Sequence, residues 1–351
     1  MMTIKKLSSV ILSIVFIIAF SLTGYAHGGR TDSSGGHKDN NNVSGLGSYH
    51  YHCDGYSAHL HANGVCPHDK NVSTPLPTPA TKPVPAPASM QTISSIKTEG
   101  SLVVHFIDVG QGDAILIQLP NKEVVLIDAG GGNGSKVVKY IHDLKIEKIN
   151  YLIATHPHED HIGGMAAVIK GFDIGKIYMP DVTHTTKAFE NMLLAIDTKG
   201  LKINIAKEST VLIEKNDIFG IFIAPNGDKY TNLNNYSAVL YLEYGDVSFL
   251  LMGDAEALSE DEIVENWTGF QADVIKIGHH GSGTSSSSKF MDIVSPSYAV
   301  ISVGINNTYG HPTNSTLNKL MELKAEVFRT DLNGTVMIST DGKKIFTYSE
   351  K

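Results

Sequence analysis

The stretch Tyr151-Leu-Ile-Ala-Thr-His-Pro-His-Glu-Asp-His-Ile-Gly-Gly164 constrains this chain more than any other. Residues 151–154 are an apolar run that reads as a short buried strand. The strand delivers His156, His158, Asp160 and His161 onto the loop at its end, and Gly163 and Gly164 lead into a helix beginning near Met165. In extended backbone, residues two apart point to the same side, so His156 and His158 can face one ion. Asp160 and His161 follow after the chain starts to turn, and they face a second point nearby. The arrangement predicts two neighbouring metal ions. A polar surface loop with chance histidines does not account for three His and one Asp in six residues directly after a buried strand.

Other stretches punctuate the chain: Asp108-Val-Gly-Gln-Gly-Asp113, Leu126-Ile-Asp-Ala-Gly130, Gly253-Asp-Ala-Glu256, His279-His-Gly-Ser282 and Tyr309-Gly-His-Pro312. His156-Pro-His-Glu-Asp-His161 carries the H-x-H-x-D-H signature of the metallo-β-lactamase superfamily. The whole set, in this order, resembles the hydrolase domain of ComEC-type competence proteins and their free-standing secreted relatives, over about residues 101–349. The resemblance implies an α/β (α+β) fold, the αββα sandwich. The chain pattern agrees, because two halves of strands and helices, each with a metal loop at its strand ends, imply two face-to-face sheets with helices outside.

Taken in order, residues 101–108 alternate as a strand in which His105 reads as a strand residue rather than a ligand. The aspartates of the following turn can be turn caps; the resemblance implies that Asp113, or the backbone around Gly112, lies beside the site. Asp128 ends a strand at 123–127 and precedes glycines that let the backbone pass close to the metal loop. It is assigned to orienting a ligand histidine, with turn formation as the alternative. Helices are predicted at 135–144, 187–196, 255–266, 285–294 and 316–323. Further strands are predicted at 174–179, 201–205, 219–224, 237–243, 247–251, 272–277, 298–303, 326–329, 335–339 and 344–348. His142 and His184 sit in polar settings and read as surface residues.

Many superfamily members take a third metal-site histidine from the middle of the chain. Here Asn234-Asn-Tyr-Ser237 holds none, which departs from lactamase and glyoxalase-like patterns. The ComEC-like resemblance implies that Asn235 or Ser237 lines the site instead. Asp254 lies at a strand end, where its two oxygens can bridge two cations; capping the next helix is the alternative, and the family context implies the bridge. His279 and His280 end an apolar strand and are expected to face different ways. His279 is assigned as a ligand and His280 to supporting or acid–base work, with the two roles exchangeable. His311 can complete the site or protonate a leaving group, and as a lone histidine before proline it can equally be structural. The expected ligands are thus His156, His158, Asp160, His161, Asp254 and His279. Asp160, His280 and His311 take catalytic roles, and Asp128, Asp113 and Asn235 surround them.

All these donors are nitrogen or oxygen, which suits Zn²⁺, Mn²⁺ or Fe²⁺. The resemblance tilts the expectation toward two Mn²⁺ ions, with Zn²⁺ close behind. Two divalent ions outweigh Asp160, Asp254 and a bridging hydroxide, so the site stays cationic and attracts an anionic phosphodiester. The ions lower the pKa of bound water to about 7 and stabilise the attacking and leaving oxygens. His280 or His311 then protonates the departing alkoxide. The residues alone support metal-assisted hydrolysis; a nuclease acting on DNA is what the resemblance implies. The alternatives are hydrolysis of a smaller or wall-linked phosphodiester and an envelope metal-binding protein. The missing middle histidine makes β-lactam hydrolysis the weakest option.

Charge and the N-terminus complete the reading. The formal net charge of −8 does not suggest a general polyanion-binding surface. Lys5 and Lys6, the apolar residues 10–20 and Gly24-Tyr-Ala26 read as a signal peptide cleaved after Ala26, giving a secreted or envelope protein. The apolar run is short for a membrane span and no cysteine follows it directly, so neither an anchor nor a lipoprotein is indicated. No other segment is apolar enough for the membrane channel of ComEC proteins. Residues 27–70 form a Gly- and His-rich module resembling "YHYH" modules, in which His50/His52 and His59/His61 could bind metal. Its Cys53 and Cys66 are expected to pair as a disulfide, with thiolate ligation as the alternative. Residues 71–98 are a Pro-rich linker and 99–351 the hydrolase domain. Nothing in the sequence points to a particular oligomeric state.

Overall fold

The computed structural model describes residues 100–351 and two short strands before them. Those strands, Gly36–Lys38 (β1) and Tyr49–Tyr51 (β2), pair antiparallel, with His37 opposite His50. The expected signal peptide, the Cys53–Cys66 pair, His52, His59, His61 and the linker lie outside the described residues.

The first half of the large unit runs β3 (Leu102–Phe106), β4 (Ile115–Gln118), β5 (Val124–Ile127), α1 (Ser135–Asp143), β6 (Lys148–Ile153), α2 (Glu159–Ile162), α3 (Met165–Gly171), β7 (Asp173–Met179), α4 (Lys187–Thr198) and β8 (Ile203–Ile205). The second half runs β9 (Val211–Lys215), β10 (Ile218–Ala224), β11 (Val239–Tyr244), β12 (Val247–Leu251), α5 (Ala257–Asn266), β13 (Val274–Lys276), α6 (Ser288–Val294), β14 (Tyr298–Ile301), α7 (Asn314–Glu322), β15 (Glu326–Arg329) and α8 (Thr330–Asn333). Two strands, β16 (Val336–Thr340) and β17 (Ile345–Ser349), close the chain.

One sheet has the order β17-β16-β3-β4-β5-β6-β7-β8 and the other β15-β14-β13-β12-β11-β10-β9. In each, a run of antiparallel hairpins gives way to parallel strands, from β5 onward in the first and from β12 onward in the second. Parallel neighbours need crossovers, and the helices supply them. The final pair returns to the first sheet, with β16 lying beside β3.

Strand residues alternate between two buried faces. Val104, Phe106, Ile117 and Ile127 meet Phe222, Leu240, Phe249 and Val300 between the sheets. Leu116, Leu126 and Leu152 turn outward onto Val137, Ile141, Val168 and Phe189 of the helices. Leu250, Ile275 and Ile301 do the same against Ile263, Phe290 and Leu320. Burial on both faces explains why these strands read as nearly continuous apolar runs, and each such side chain contributes roughly 1.5–3 kcal/mol when taken from water. The architecture is the expected αββα sandwich.

Some local boundaries differ from the sequence reading. Strand β9 was outside it, because its two outward ends are exposed and it joins β10 through a tight turn with Asn216 at φ 51°. Residues 233–236 form a 3₁₀ turn, which delays the next strand to Val239. Helix α5 begins at Ala257 with Glu256 at its N-cap, so Asp254 is not the cap. Helix α6 begins at Ser288, where the Ser287 hydroxyl accepts from Phe290 N.

Candidate metal centre

The ends of β5, β6, β12 and β13 meet at one edge of the sandwich, and each delivers a side chain there. Asp128 follows β5 in the left-handed region (φ 57°) and is fully buried. It accepts from Thr155 N (2.9 Å), Thr155 Oγ1 (2.6 Å) and His161 Nδ1 (2.7 Å). Donation from Nδ1 fixes the His161 tautomer and leaves its Nε2 lone pair facing the centre. Burial raises the Asp128 carboxyl above its ordinary value, while His161 pulls it the other way. On the far side, Gly112 sits at φ +126°, where a Cβ would run into the Asp160 carbonyl; its absence lets Asp113 N donate to that carbonyl at 3.2 Å.

Asp254 lies at the middle. Its Oδ2 is 3.2 Å from His161 Nε2, 3.4 Å from His280 Nε2, and 3.9 Å from Nε2 of both His156 and His279. His280 Nε2 is also 3.2 Å from Asp160 Oδ2. Two donor groups result, His156–His161–Asp254 and Asp160–His161–His280, joined at His161, with Asp113–Asp128–His161 behind them. His158 stands beside the first group, its Nδ1 2.9 Å from His156 Nε2.

Nε2 of His161 and His280, Oδ1 of Asp254 and both carboxylate oxygens of Asp113 are buried without hydrogen-bond geometry to any partner. An unsatisfied buried polar atom costs about 1–3 kcal/mol, more when charged. Imidazole nitrogens and carboxylate oxygens converging this way, without thiolate, fit divalent cations such as Mn²⁺ or Zn²⁺. The titration pattern has the same origin. Burial opposes protonation of His161 and His280, yet Asp254 and the carboxylates around it raise both imidazoles well above their ordinary value. Burial would raise Asp160, but His280 and His161 hold it well below the usual carboxylate range. His156 is held well below its ordinary value by burial and by His161.

The structure brings His156, His158, Asp160, His161, Asp254, His279 and His280 together. His279 and His280 both adopt left-handed backbone (φ 48° and 54°), so both rings turn inward. His280 sits in a donor group with its Nδ1 2.9 Å from the Ser302 carbonyl. His279 is less enclosed, its side chain 25% exposed, with Nδ1 near Glu256 Oε1 (3.3 Å) and Thr284 Oγ1 (3.2 Å). His311 is outside the donor groups; its ring is 5.4 Å from that of His279 and stacks on Tyr309.

Asn235 is buried, and its Oδ1 accepts from Glu256 N at 3.2 Å. Its neighbour Asn234 approaches His279 Nδ1 at 3.4 Å. Ser237 Oγ accepts from Asp254 N at 3.0 Å and lies 3.5 Å from His156 Nδ1. Asp113 packs between Lys276 and His280.

Two residues to which the sequence assigned no role also stand at the centre. Lys276 is buried against Asp113, and its signal was a lysine inside the apolar run Val274-Ile-Lys-Ile277. Glu256 accepts from Asn232, Asn234 and Thr284 beside His279. Of the other histidines, His105 is buried away from the cluster, His142 packs on Phe172, and His184 bonds Thr186 with its ring 6.3 Å from that of His158. A groove of about 750 Å³ lined by Gln118, Lys122, Lys145 and Lys148 lies elsewhere and holds none of the clustered groups.

Residues 107–305 match the family described as the metallo-beta-lactamase superfamily, and the chain belongs to it. Fold, donor set and family define a metal-dependent hydrolase. Among curated relatives, ComE operon protein 3 of Bacillus subtilis (strain 168) is 33% identical over 259 residues, covering 69% of this chain and 33% of the relative. Competence protein ComA of Neisseria gonorrhoeae is 29% identical over 241 residues, covering 68% and 32%. The chain therefore spans about a third of the length of these relatives. Among solved structures, the metallo-beta-lactamase fold protein YhfI from Bacillus subtilis is 11% identical with a TM-score of 0.45, covering 70% of this chain and 100% of that one. Among the described residues, no helix is long and apolar enough to cross a membrane.

Proposed function

We propose that the chain is an exported phosphodiesterase that cleaves DNA with two divalent ions, Mn²⁺ ahead of Zn²⁺. The observation that carries this reading is the convergence of four imidazole Nε2 atoms on Asp254 Oδ2, at 3.2–3.9 Å, with Asp160 beside them. The name of one relative, a competence protein of Neisseria gonorrhoeae, favours DNA as the diester. Export rests on the signal-like residues 1–26 and makes the protein secreted or envelope-held.

In this reading His156, His158 and Asp254 hold one ion, and Asp160, His161, His280 and the same Asp254 hold the other. Bound ions would bring coordinated water into the neutral pKa range and neutralise charge on the phosphate. The chain's own residues set the rest. Asp113 is offset by Lys276 and Asp128 is paired with His161. Asp128, Asp160 and Asp254 then set three negative charges against the four of the ions, so the site would stay cationic and draw in an anion. The geometry favours exchanging the two roles that the sequence left open. His280 joins the donors, and His279, its Nδ1 3.3 Å from Glu256 Oε1, would be the group that protonates the leaving alkoxide.

The test uses residues 27–351 with Asp160→Ala as control, on linear single- and double-stranded DNA and a small chromogenic phosphodiester, with added Mn²⁺ or Zn²⁺. DNA loss that needs both metal and Asp160 is expected. Cleavage of the small diester alone would move the substrate to a small or wall-linked phosphodiester. Metal binding with no turnover of either would overturn the enzyme reading in favour of an envelope metal-binding protein.

A further inference from the structure

Lys276 is the only lysine or arginine buried among the described residues, with no exposed surface on its side chain. It ends β13, and its neighbours Val274, Ile275 and, just past the strand, Ile277 are all apolar and buried. A buried ammonium costs several kcal/mol unless its partners repay it, so a packed apolar side chain would serve the strand better. The contacts show what the lysine adds. Nζ donates to the Gly253 carbonyl at 3.0 Å, pairs with the Asp113 carboxylate, and stands 3.9 Å from Asp254 Oδ1. Asp254 thus turns one oxygen toward the ammonium and the other, Oδ2, toward four imidazoles. Asp113, held from the same side, places Oδ1 3.4 Å from His280 Nδ1.

We propose that Lys276 is a positioning residue of the metal centre: by holding the Gly253 carbonyl and placing its charge 3.9 Å from Oδ1 it orients Asp254 so that Oδ2 faces the imidazoles, and it fixes Asp113 behind His280. This inference rests on the dinuclear reading above. It makes a prediction opposite to simple charge balance. A nearby ammonium repels cations, so by charge alone its removal would tighten metal binding. If Lys276 positions Asp254, its removal frees the second oxygen and loosens the centre.

The experiment measures Mn²⁺ binding by titration calorimetry, and the electron paramagnetic resonance of the loaded protein, for wild type, Lys276→Met and Lys276→Gln. Wild type should bind two Mn²⁺ with an exchange-coupled spectrum. A folded Lys276→Met should bind the second Mn²⁺ about 10–100-fold more weakly, the range for removing an outer partner of a ligand, with the coupling altered. Lys276→Gln, which can still donate to the Gly253 carbonyl, should fall between. Unchanged or tighter binding with the wild-type spectrum would overturn the proposal. Should Lys276→Met fail to fold, Lys276→Met with Asp113→Asn removes the stranded carboxylate too and is read by the same two criteria. A wild type that binds a single Mn²⁺ would instead strike the dinuclear reading itself.

Discussion

Asp128→Asn tests whether the residue behind the cluster controls the metal donors. The carboxylate accepts three hydrogen bonds, and its Oδ2 takes two of them, from Thr155 Oγ1 and His161 Nδ1. Asparagine keeps the shape and can still accept from Thr155 N. The hydroxyl can adapt, because its oxygen can accept both from the new amide and from His156 Nδ1, 3.1 Å away. The imidazole of His161 cannot adapt so cheaply. An amide NH₂ in place of Oδ2 faces its N–H, so the ring loses the bond or moves its proton to Nε2. That atom faces Asp254 Oδ2 at 3.2 Å and must carry a lone pair to bind an ion. The lost charge-assisted bond is worth about 1.5–3 kcal/mol. At about 1.4 kcal/mol per factor of ten, Mn²⁺ affinity should fall roughly 10–100-fold. Fold stability should fall as well, by up to a similar amount, because the same buried bond is lost. Titration calorimetry with Mn²⁺, paired with thermal melts, reads both quantities. Wild-type affinity in a folded Asp128→Asn would refute the reasoning.

Two further predictions concern the surrounding frame. His105 accepts from Tyr140 Oη at Nδ1 and donates to Gln118 Oε1 from Nε2, a pattern that suits the neutral ring, and burial lowers its pKa from 6.5 to about 4. The unfolded chain therefore takes up this proton first as pH falls: His105 does not oppose folding above pH 6.5, and it removes about 3 kcal/mol of stability by pH 4. Urea melts of wild type and His105→Gln at pH 7 and pH 4.5 should converge as pH falls; parallel pH dependence would contradict this. Gly112→Ala forces a side chain into φ +126° and against the Asp160 carbonyl, a strain of order 1–3 kcal/mol. It should lower both the melting temperature and Mn²⁺ affinity, and normal affinity would show that the 108–113 turn does not brace Asp160.

Much of the sandwich was legible because both faces of its strands are buried, which leaves apolar runs between glycine-marked turns. The donors at strand ends were legible for the same reason, since a polar residue directly after such a run has few other uses. Strand β9 gave no such signal, being short and exposed at both ends. The choice between His279 and His280 depended on two consecutive left-handed residues, which no spacing rule foresees for histidine. Lys276 was hidden for another reason. Its partner Asp113 is 163 positions away on the other sheet, and pattern reading has no access to pairings across the sandwich.

The missing middle histidine also takes on meaning in three dimensions. The segment that would carry it offers Ser237, which holds the Asp254 backbone and touches His156, and Asn234, which reaches toward His279. Both act on ligand candidates rather than as ligands. In the proposed reading the two donor groups are therefore unequal. His161, His280 and Asp254 are almost wholly buried, whereas His158 and His279 reach solvent, beside the half-buried His311. The ion held by His156 and His158 would have fewer protein donors and an open side, the condition for a site that admits substrate rather than one that only braces the fold. A phosphate entering from that side would meet His279, with Glu256 beside its Nδ1, before it meets the buried pair. In that reading His279 would govern turnover, and the ligand histidines, His158 among them, would govern whether the ions stay.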